Sequence, residues 1–263
     1  MTPDRTVQGF IVAAAAALVV GGQVWGNREK AGPVLTAASA LFGGDSSSDS
    51  ASSATAAPLA SSTNAALSQL ASKVRPLSHP QALATAFHSY FAFKAGHPDE
   101  VKKPYLYFVD YGLPSTQPRG YVFDMSSLKI VDGPFTVAHG RGSSTSKDGI
   151  PTRFSNAIGS AATSLGLYIA KATYAFHGNA GGRSYSSIGM RLDGVMNGLN
   201  DNAFVRRVVA HGAPYVTAAK AGRSEGCPAM EPSRAKKLLP KLADGGMVFL
   251  FAPEQTLLHA ELQ

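Results

Sequence analysis

The sequence predicts a mainly β domain, a sandwich or barrel with a few peripheral helices, preceded by a disordered tether. Three observations carry this expectation. Between residues 104 and 251, short runs rich in aromatic and β-branched residues recur, each bounded by Gly, Pro, Ser or Asp. Helical periodicity is confined to a few segments, with neither an alternating strand–helix rhythm nor an internal repeat. Upstream, residues 36–72 are dominated by Ala, Ser, Thr and Gly and lack an apolar pattern that could offset chain entropy.

In chain order, residues 1–26 read as a signal peptide or N-terminal anchor. Arg5 precedes an apolar run at residues 9–21, and small residues follow up to Gly26. The run is shorter than the roughly 20 apolar residues of a membrane span, which favours a secretory signal, with an uncleaved anchor as the alternative. Either way the protein is expected to be exported to the periplasm or cell envelope, with membrane contact only through this segment. Residues 27–76 are expected to be a disordered Ala/Ser-rich linker, its tail at 64–74 forming at most a fraying helix.

The folded domain is expected over residues 77–255. Ser78 and Gln81 stand at capping-box spacing, and Leu83, Phe87, Tyr90 and Phe91 recur at helical spacing. That helix should reach about Lys94, before Gly96 and Pro98. Strands are expected at 104–111, 119–125, 128–131, 135–139, 167–170, 208–210, 215–217 and 247–251. A short helix is expected at 201–207 and a longer one at 233–243, interrupted at Pro240.

The chain has 263 residues, 44% of them hydrophobic, enough for a proper core. A net charge of +7 and a pI near 9.5 favour anionic partners: nucleic acid, anionic lipid or acidic wall polymers. Lys and Arg are scattered, and no zinc-finger, RNP-like or basic-helix pattern occurs, so nucleic acid is not the expected partner. Neither GxGxxG after a strand nor GxxxxGK[ST] is present.

The chemistry concentrates between residues 208 and 229. Cys227 is the only cysteine, so it cannot form an intramolecular disulfide. A lone cysteine reads most simply as a small buried hydrophobe. Its setting between Ser224 and Pro228, a turn of small and polar residues, is a poor place to bury one. A thiol becomes a nucleophile as thiolate, and His211 stands sixteen residues upstream to take the proton. Gly226 lets the backbone turn and aim amide N–H groups at one point.

These residues resemble the L,D-transpeptidase catalytic domain, the YkuD-like fold. Segments at 137–143, 154–156, 164–168, 191–194, 200–203, 209–213 and 222–229 are similar to its murein L,D-transpeptidase-type subfamily, over roughly Tyr105 to Pro253. The resemblance implies a YkuD-like β-sandwich or barrel and an enzyme that acts on peptidoglycan stem peptides through a cysteine thioester. It implies no cofactor and no metal, and inhibition by carbapenems. Cys227 would be the nucleophile and His211 its base. The carbonyl of Gly212 would hold the imidazole tautomer, and the amides of Gly226 and Cys227 would form the oxyanion site. Ser224 would brace the loop or touch substrate.

Two positions depart from the family pattern. Glu225 stands where a histidine is common, and Pro228 and Ala229 follow the cysteine where an Arg or Asn is common. The grip on a substrate carboxylate must then come from elsewhere, and Arg223, Arg191 and Arg141 are candidates, each equally suited to a surface ion pair. Glu225 is expected to face solvent. His139 either lines the pocket or is hydrogen-bonded inside the domain, and the glycine-rich stretch after His177 suggests a mobile flap. Three other readings compete. A carboxypeptidase, amidase or ligase could use the same Cys–His site. A zinc hydrolase could be built from His139, His177 and His211, although the spacing of metal-site motifs is missing. A non-catalytic peptidoglycan-binding module is the third.

Overall fold

A computed structural model of the protein describes residues 49–254 and Leu257. The expected export segment and the first part of the expected linker lie outside the described residues. Among the described residues no helix is long and apolar enough to cross a membrane.

Three helices and ten strands follow: α1 (Asp49–Leu70), α2 (Ala82–Gly96), β1 (Tyr105–Asp110), β2 (Gly120–Asp124), β3 (Lys129–Phe135), β4 (His139–Gly140), β5 (Gly166–Ala180), β6 (Arg183–Gly194), β7 (Val209–Gly212), β8 (Arg223–Ser224), β9 (Ala229–Met230), α3 (Pro232–Leu242) and β10 (Met247–Phe251). Eight strands form one mixed sheet in the order β3-β2-β1-β10-β5-β6-β7-β9, and β4 pairs with β8 in a second, two-stranded sheet. The fold is mainly β with few helices, as the sequence predicts.

β1 and β10 lie side by side and parallel, Leu106 opposite Met247. Both are almost wholly buried, which is why they read as continuous apolar runs rather than alternating ones. Successive side chains point to opposite faces of a strand, so β1 needs cover on both sides. On the Phe108 face, Phe87 of α2 meets Phe123 edge-on, with ring centroids 5.4 Å apart. On the other face Tyr107 stacks on Phe135, over which Arg234 of α3 places its guanidinium.

Several expectations change. Residues 49–70, assigned to the disordered linker, form α1, and its C-terminal half is packed. Thr63, Ala66 and Leu70 recur on one helical face and are buried, the last two completely. The stripe is narrow, one Thr, one Ala and one Leu among exposed Ala, Ser and Asn, and so leaves little apolar contrast in the sequence. Leu70→Ala should therefore cost about 2–5 kcal/mol in denaturant unfolding. A change below about 0.5 kcal/mol, typical of surface sites, would mean that α1 is not part of the core.

The capping box at Ser78 is not formed. α2 starts at Ala82, and Ser78 instead gives its N–H and hydroxyl to the buried Asp110 carboxylate at 2.7 and 2.6 Å. The strand expected at 167–170 is the first third of β5, which with β6 makes a long antiparallel hairpin. Gly181 and Gly182, both at positive φ, close its two-residue turn, so the glycine-rich stretch is a hairpin tip. Residues 215–217 form no strand beyond the single Val216–Ala221 bridge. Residues 201–207 are turns rather than helix, and α3 runs on through Pro240 into its last turn.

Candidate active site

The site is assembled where β4, β7, β8 and β9 meet. β7 carries His211 and runs parallel to β9, with His211 opposite Ala229, two residues beyond Cys227. β8 ends at Ser224 and leads directly into the cysteine turn. β4 pairs with β8, His139 opposite Arg223 and Gly140 opposite Ser224.

The turn is held from within. The Ser224 hydroxyl donates to the Cys227 carbonyl at 2.6 Å and accepts the Gly226 N–H at 3.2 Å. Ser224 thus braces the loop. The same bond revises the expected oxyanion site, because the Gly226 N–H is already engaged by Ser224. Gly226 itself is required, since its φ is +123° and a side chain there would come within 2.9 Å of the Ala162 carbonyl oxygen. Gly140 is packed on the opposite side: an added Cβ would lie 2.8 Å from Gly226 Cα.

His211 is buried, and its Nδ1 lies 3.1 Å from the Gly212 carbonyl oxygen. A carbonyl only accepts, so this bond places the proton on Nδ1 and leaves Nε2 with its lone pair, the tautomer of a base. Phe176 of β5 stacks on the ring at 4.1 Å. Burial pulls the imidazole down to about 4, against the opposing effect of the Gly212 carbonyl. Gly212 has no room for a side chain, since an added Cβ would fall 2.3 Å from Ser187 Oγ.

Burial pushes the Cys227 thiol up to about 11, opposed by the Val209 peptide N–H and the Arg206 guanidinium and aided by Glu225. At neutral pH both groups therefore rest uncharged, as thiol and imidazole rather than thiolate and imidazolium.

The remaining candidates separate. Glu225 faces solvent, as expected, and pairs with Arg141 at 2.7 Å. Arg223 donates to the Ser144 and Thr145 carbonyls at 2.9 and 3.3 Å. Arg191 is exposed on β6, its guanidinium 5.0 Å over the Tyr174 ring. Arg141 and Arg223, with Lys147, Asn179, Gly181 and Tyr215, line a cleft of about 340 Å³ between the hairpin tip and the loop after β4.

His139 is fully buried and its Nδ1 lies 3.0 Å from Nη2 of the equally buried Arg119. A guanidinium only donates, so the His139 proton sits on Nε2, which is buried with no protein partner. Burial, then Arg119 and Arg223, lower this imidazole to about 3. It is neutral at any working pH and can donate but not act as a base. His177 is exposed on the hairpin, its Nδ1 3.1 Å from Ser186 Oγ. The three histidines proposed as zinc ligands do not meet. Among the described residues no three His, Cys, Asp or Glu side chains converge as they would around a metal ion.

Two further residues at the site carry no sequence signal, Phe176 against the His211 ring and Arg206 behind the cysteine turn. The Arg206 side chain donates to Ser155 O, Ser164 Oγ, Ser160 Oγ and Ala162 O at 2.8, 3.1, 3.1 and 2.6 Å. No spacing in the sequence signals these contacts, which span more than forty residues.

The mainly β domain thus brings the cysteine turn and a buried, tautomer-fixed imidazole onto paired strands. Residues 75–251 match the L,D-transpeptidase catalytic domain, and the chain belongs to that family. No curated protein matches it. Among solved structures it is similar to an L,D-transpeptidase from Mycobacterium smegmatis, at 14% identity and a TM-score of 0.36, covering 57% of this chain and 59% of that one. It is also similar to an L,D-transpeptidase from Stackebrandtia nassauensis, at 18% identity and a TM-score of 0.35, covering 65% and 66%. A third is LdtMt1 in complex with imipenem, at 14% identity and a TM-score of 0.34, covering 56% and 59%. The chain thus spans less than two thirds of the length of each.

Proposed function

We propose that the protein is an exported L,D-transpeptidase that acts on peptidoglycan stem peptides through a Cys227 thioester. The observation that carries this reading is the Nδ1–Gly212 bond, which leaves His211 Nε2 as the acceptor on a strand paired with the one that follows Cys227.

In the proposed cycle the Cys227 proton passes to His211 Nε2 as the sulfur attacks the donor carbonyl carbon. The Cys227 N–H faces the developing oxyanion, the Gly226 N–H being held by Ser224. Collapse breaks the C–N bond, the imidazolium gives its proton to the departing amine, and a thioester remains. The amine of a second stem peptide then attacks, losing a proton to His211, and the C–S bond breaks. The sulfur recovers its proton and the new amide leaves. Lys147 and Arg223, neither paired with a carboxylate among the described residues, give the adjacent cleft a positive lining suited to the carboxylates of a stem peptide.

Intact-mass analysis after incubation with a carbapenem should show one adduct per chain, absent from Cys227→Ala. An unmodified wild-type protein would overturn the reading. Tetrapeptide stems supplied with a separate amine acceptor should then yield the cross-linked amide. Release of the shortened acid alone would instead make the protein a hydrolase using the same site.

A further inference from the structure

Arg206 is held entirely by neutral partners. Its two terminal nitrogens donate four hydrogen bonds, two to carbonyl oxygens and two to hydroxyls. All four acceptors are neutral. Among the described residues no carboxylate pairs with it, although Arg141, Arg234, Lys171 and Lys237 all have one. A half-buried guanidinium with neutral partners keeps its full charge, and its field acts on whatever lies nearest.

What lies nearest is the cysteine turn. Nη2 of Arg206 donates to the Ala162 carbonyl, the same oxygen that stands 2.9 Å from the Cβ position of Gly226. That Cβ position is itself 3.6 Å from Nη2. The guanidinium is therefore packed against the residue that precedes Cys227, with its plane fixed by four bonds. Other cations around the site lie elsewhere: Arg141 is neutralised by Glu225 in solvent, Arg119 has neutral partners but lies in the core beneath His139, and Arg223 has carbonyl partners but lines the cleft.

We propose that Arg206 is a positioning residue for the nucleophile, a fixed, un-neutralised cation whose field stabilises the thiolate of Cys227 as its proton leaves. This deepens the reading of Cys227 as nucleophile and rests on it. Burial opposes ionisation of the thiol, and Arg206 is the side chain that acts against it. The effect is reciprocal: burial lowers the Arg206 guanidinium, and Tyr168 and Cys227 raise it. The chain has no arginine just after the cysteine, and a guanidinium from 21 positions upstream supplies positive charge from behind the turn instead.

The test is the rate at which iodoacetamide alkylates Cys227 between pH 8 and 10, where only the thiolate reacts and log rate climbs with pH. Arg206→Gln should lower the rate about tenfold at every pH in this range, equivalent to about one pKa unit. Arg206→Lys, which keeps the charge but cannot make all four bonds, should stay within about threefold of wild type. A purely structural role predicts the reverse for lysine, a loss like that of glutamine. Ser160→Asp provides the arm that does not depend on Arg206→Gln folding. It places a carboxylate on Nη2 and neutralises the cation in place, and it should slow alkylation about fivefold. A folded Arg206→Gln or Ser160→Asp protein with the wild-type profile overturns the proposal, as does a lysine variant as slow as glutamine. Failure here is distinct from failure of the transpeptidase reading. A carbapenem adduct with unchanged alkylation profiles sinks Arg206 alone; shifted profiles without an adduct sink the transpeptidase and keep Arg206.

Discussion

Replacing His211 with alanine should slow acylation of Cys227 by a carbapenem about 10²–10⁴-fold at pH 7, the usual cost of removing a positioned base. The pH profile should change shape as well as height. In wild type the imidazole titrates near 4 and the thiol near 11, so the reactive pairing of neutral imidazole and neutral thiol persists between those values. Below about pH 4 the imidazole takes up a proton and the rate should fall. An unperturbed histidine, by contrast, would begin to fail near 6.5. Without His211 only pre-formed thiolate can attack, so the rate of the variant should rise about tenfold per pH unit from neutrality towards 11. Acylation rates of wild type and His211→Ala from pH 3.5 to 10 decide the matter, with circular dichroism to confirm folding. Parallel profiles would remove His211 from the role of base.

Gly226→Ala should be nearly as damaging without touching either reacting group. A residue at φ +123° with a side chain carries strain of about 1–3 kcal/mol, and its Cβ would sit 2.9 Å from the Ala162 oxygen. Neither neighbour yields easily. Ala162 is held by Arg206, and the turn is cinched by Ser224 on both sides of Gly226. The turn must therefore shift, and misplacement of a reacting atom by about 1 Å can cost about 10²-fold. Single-turnover acylation should drop by that amount while the protein stays folded, with its melting temperature lowered by about 2–12 °C. Acylation within threefold of wild type would show that the turn tolerates the conformation.

The parts of the site that could be read from the sequence are those whose contacts are local. His211 bonds to the residue after it, and Ser224, Gly226 and Cys227 lie within four positions. Spacing is enough to see such a loop. Arg206 and Phe176 were invisible because their contacts depend on which strands become neighbours, and neither stands in a pattern that marks it. The same contrast runs through the fold. Buried β1 and β10 announce themselves by composition. β6 does not, because much of it lies along an exposed hairpin where Ser, Gly and Arg are acceptable. Helix α1 gives little sequence signal because its buried face is narrow, Thr63, Ala66 and Leu70 in a run of small residues. Residues 215–217 misled in the other direction. Tyr215 and Val216 have strand-like chemistry, yet they belong to a small apolar cluster with Ala138, Ala213 and Ala229 that seats Tyr185 of the hairpin. Aromatic and β-branched residues report burial here, and burial needs no ladder.

The parallel pairing of β1 with β10 sets the order in which this molecule can be completed. β10 sits between β1 and β5, in the middle of the sheet, yet it is made after β1 to β9 and after Cys227. Contacts between residues 105–110 and 247–251 close a loop of well over a hundred residues, a topology that folds slowly. Until Met247–Phe251 inserts, the β5-β6-β7-β9 half of the sheet has no strand linking it to β1, β2 and β3. The half of the sheet that carries His211 is therefore joined to the half that carries β1 by a strand made after both.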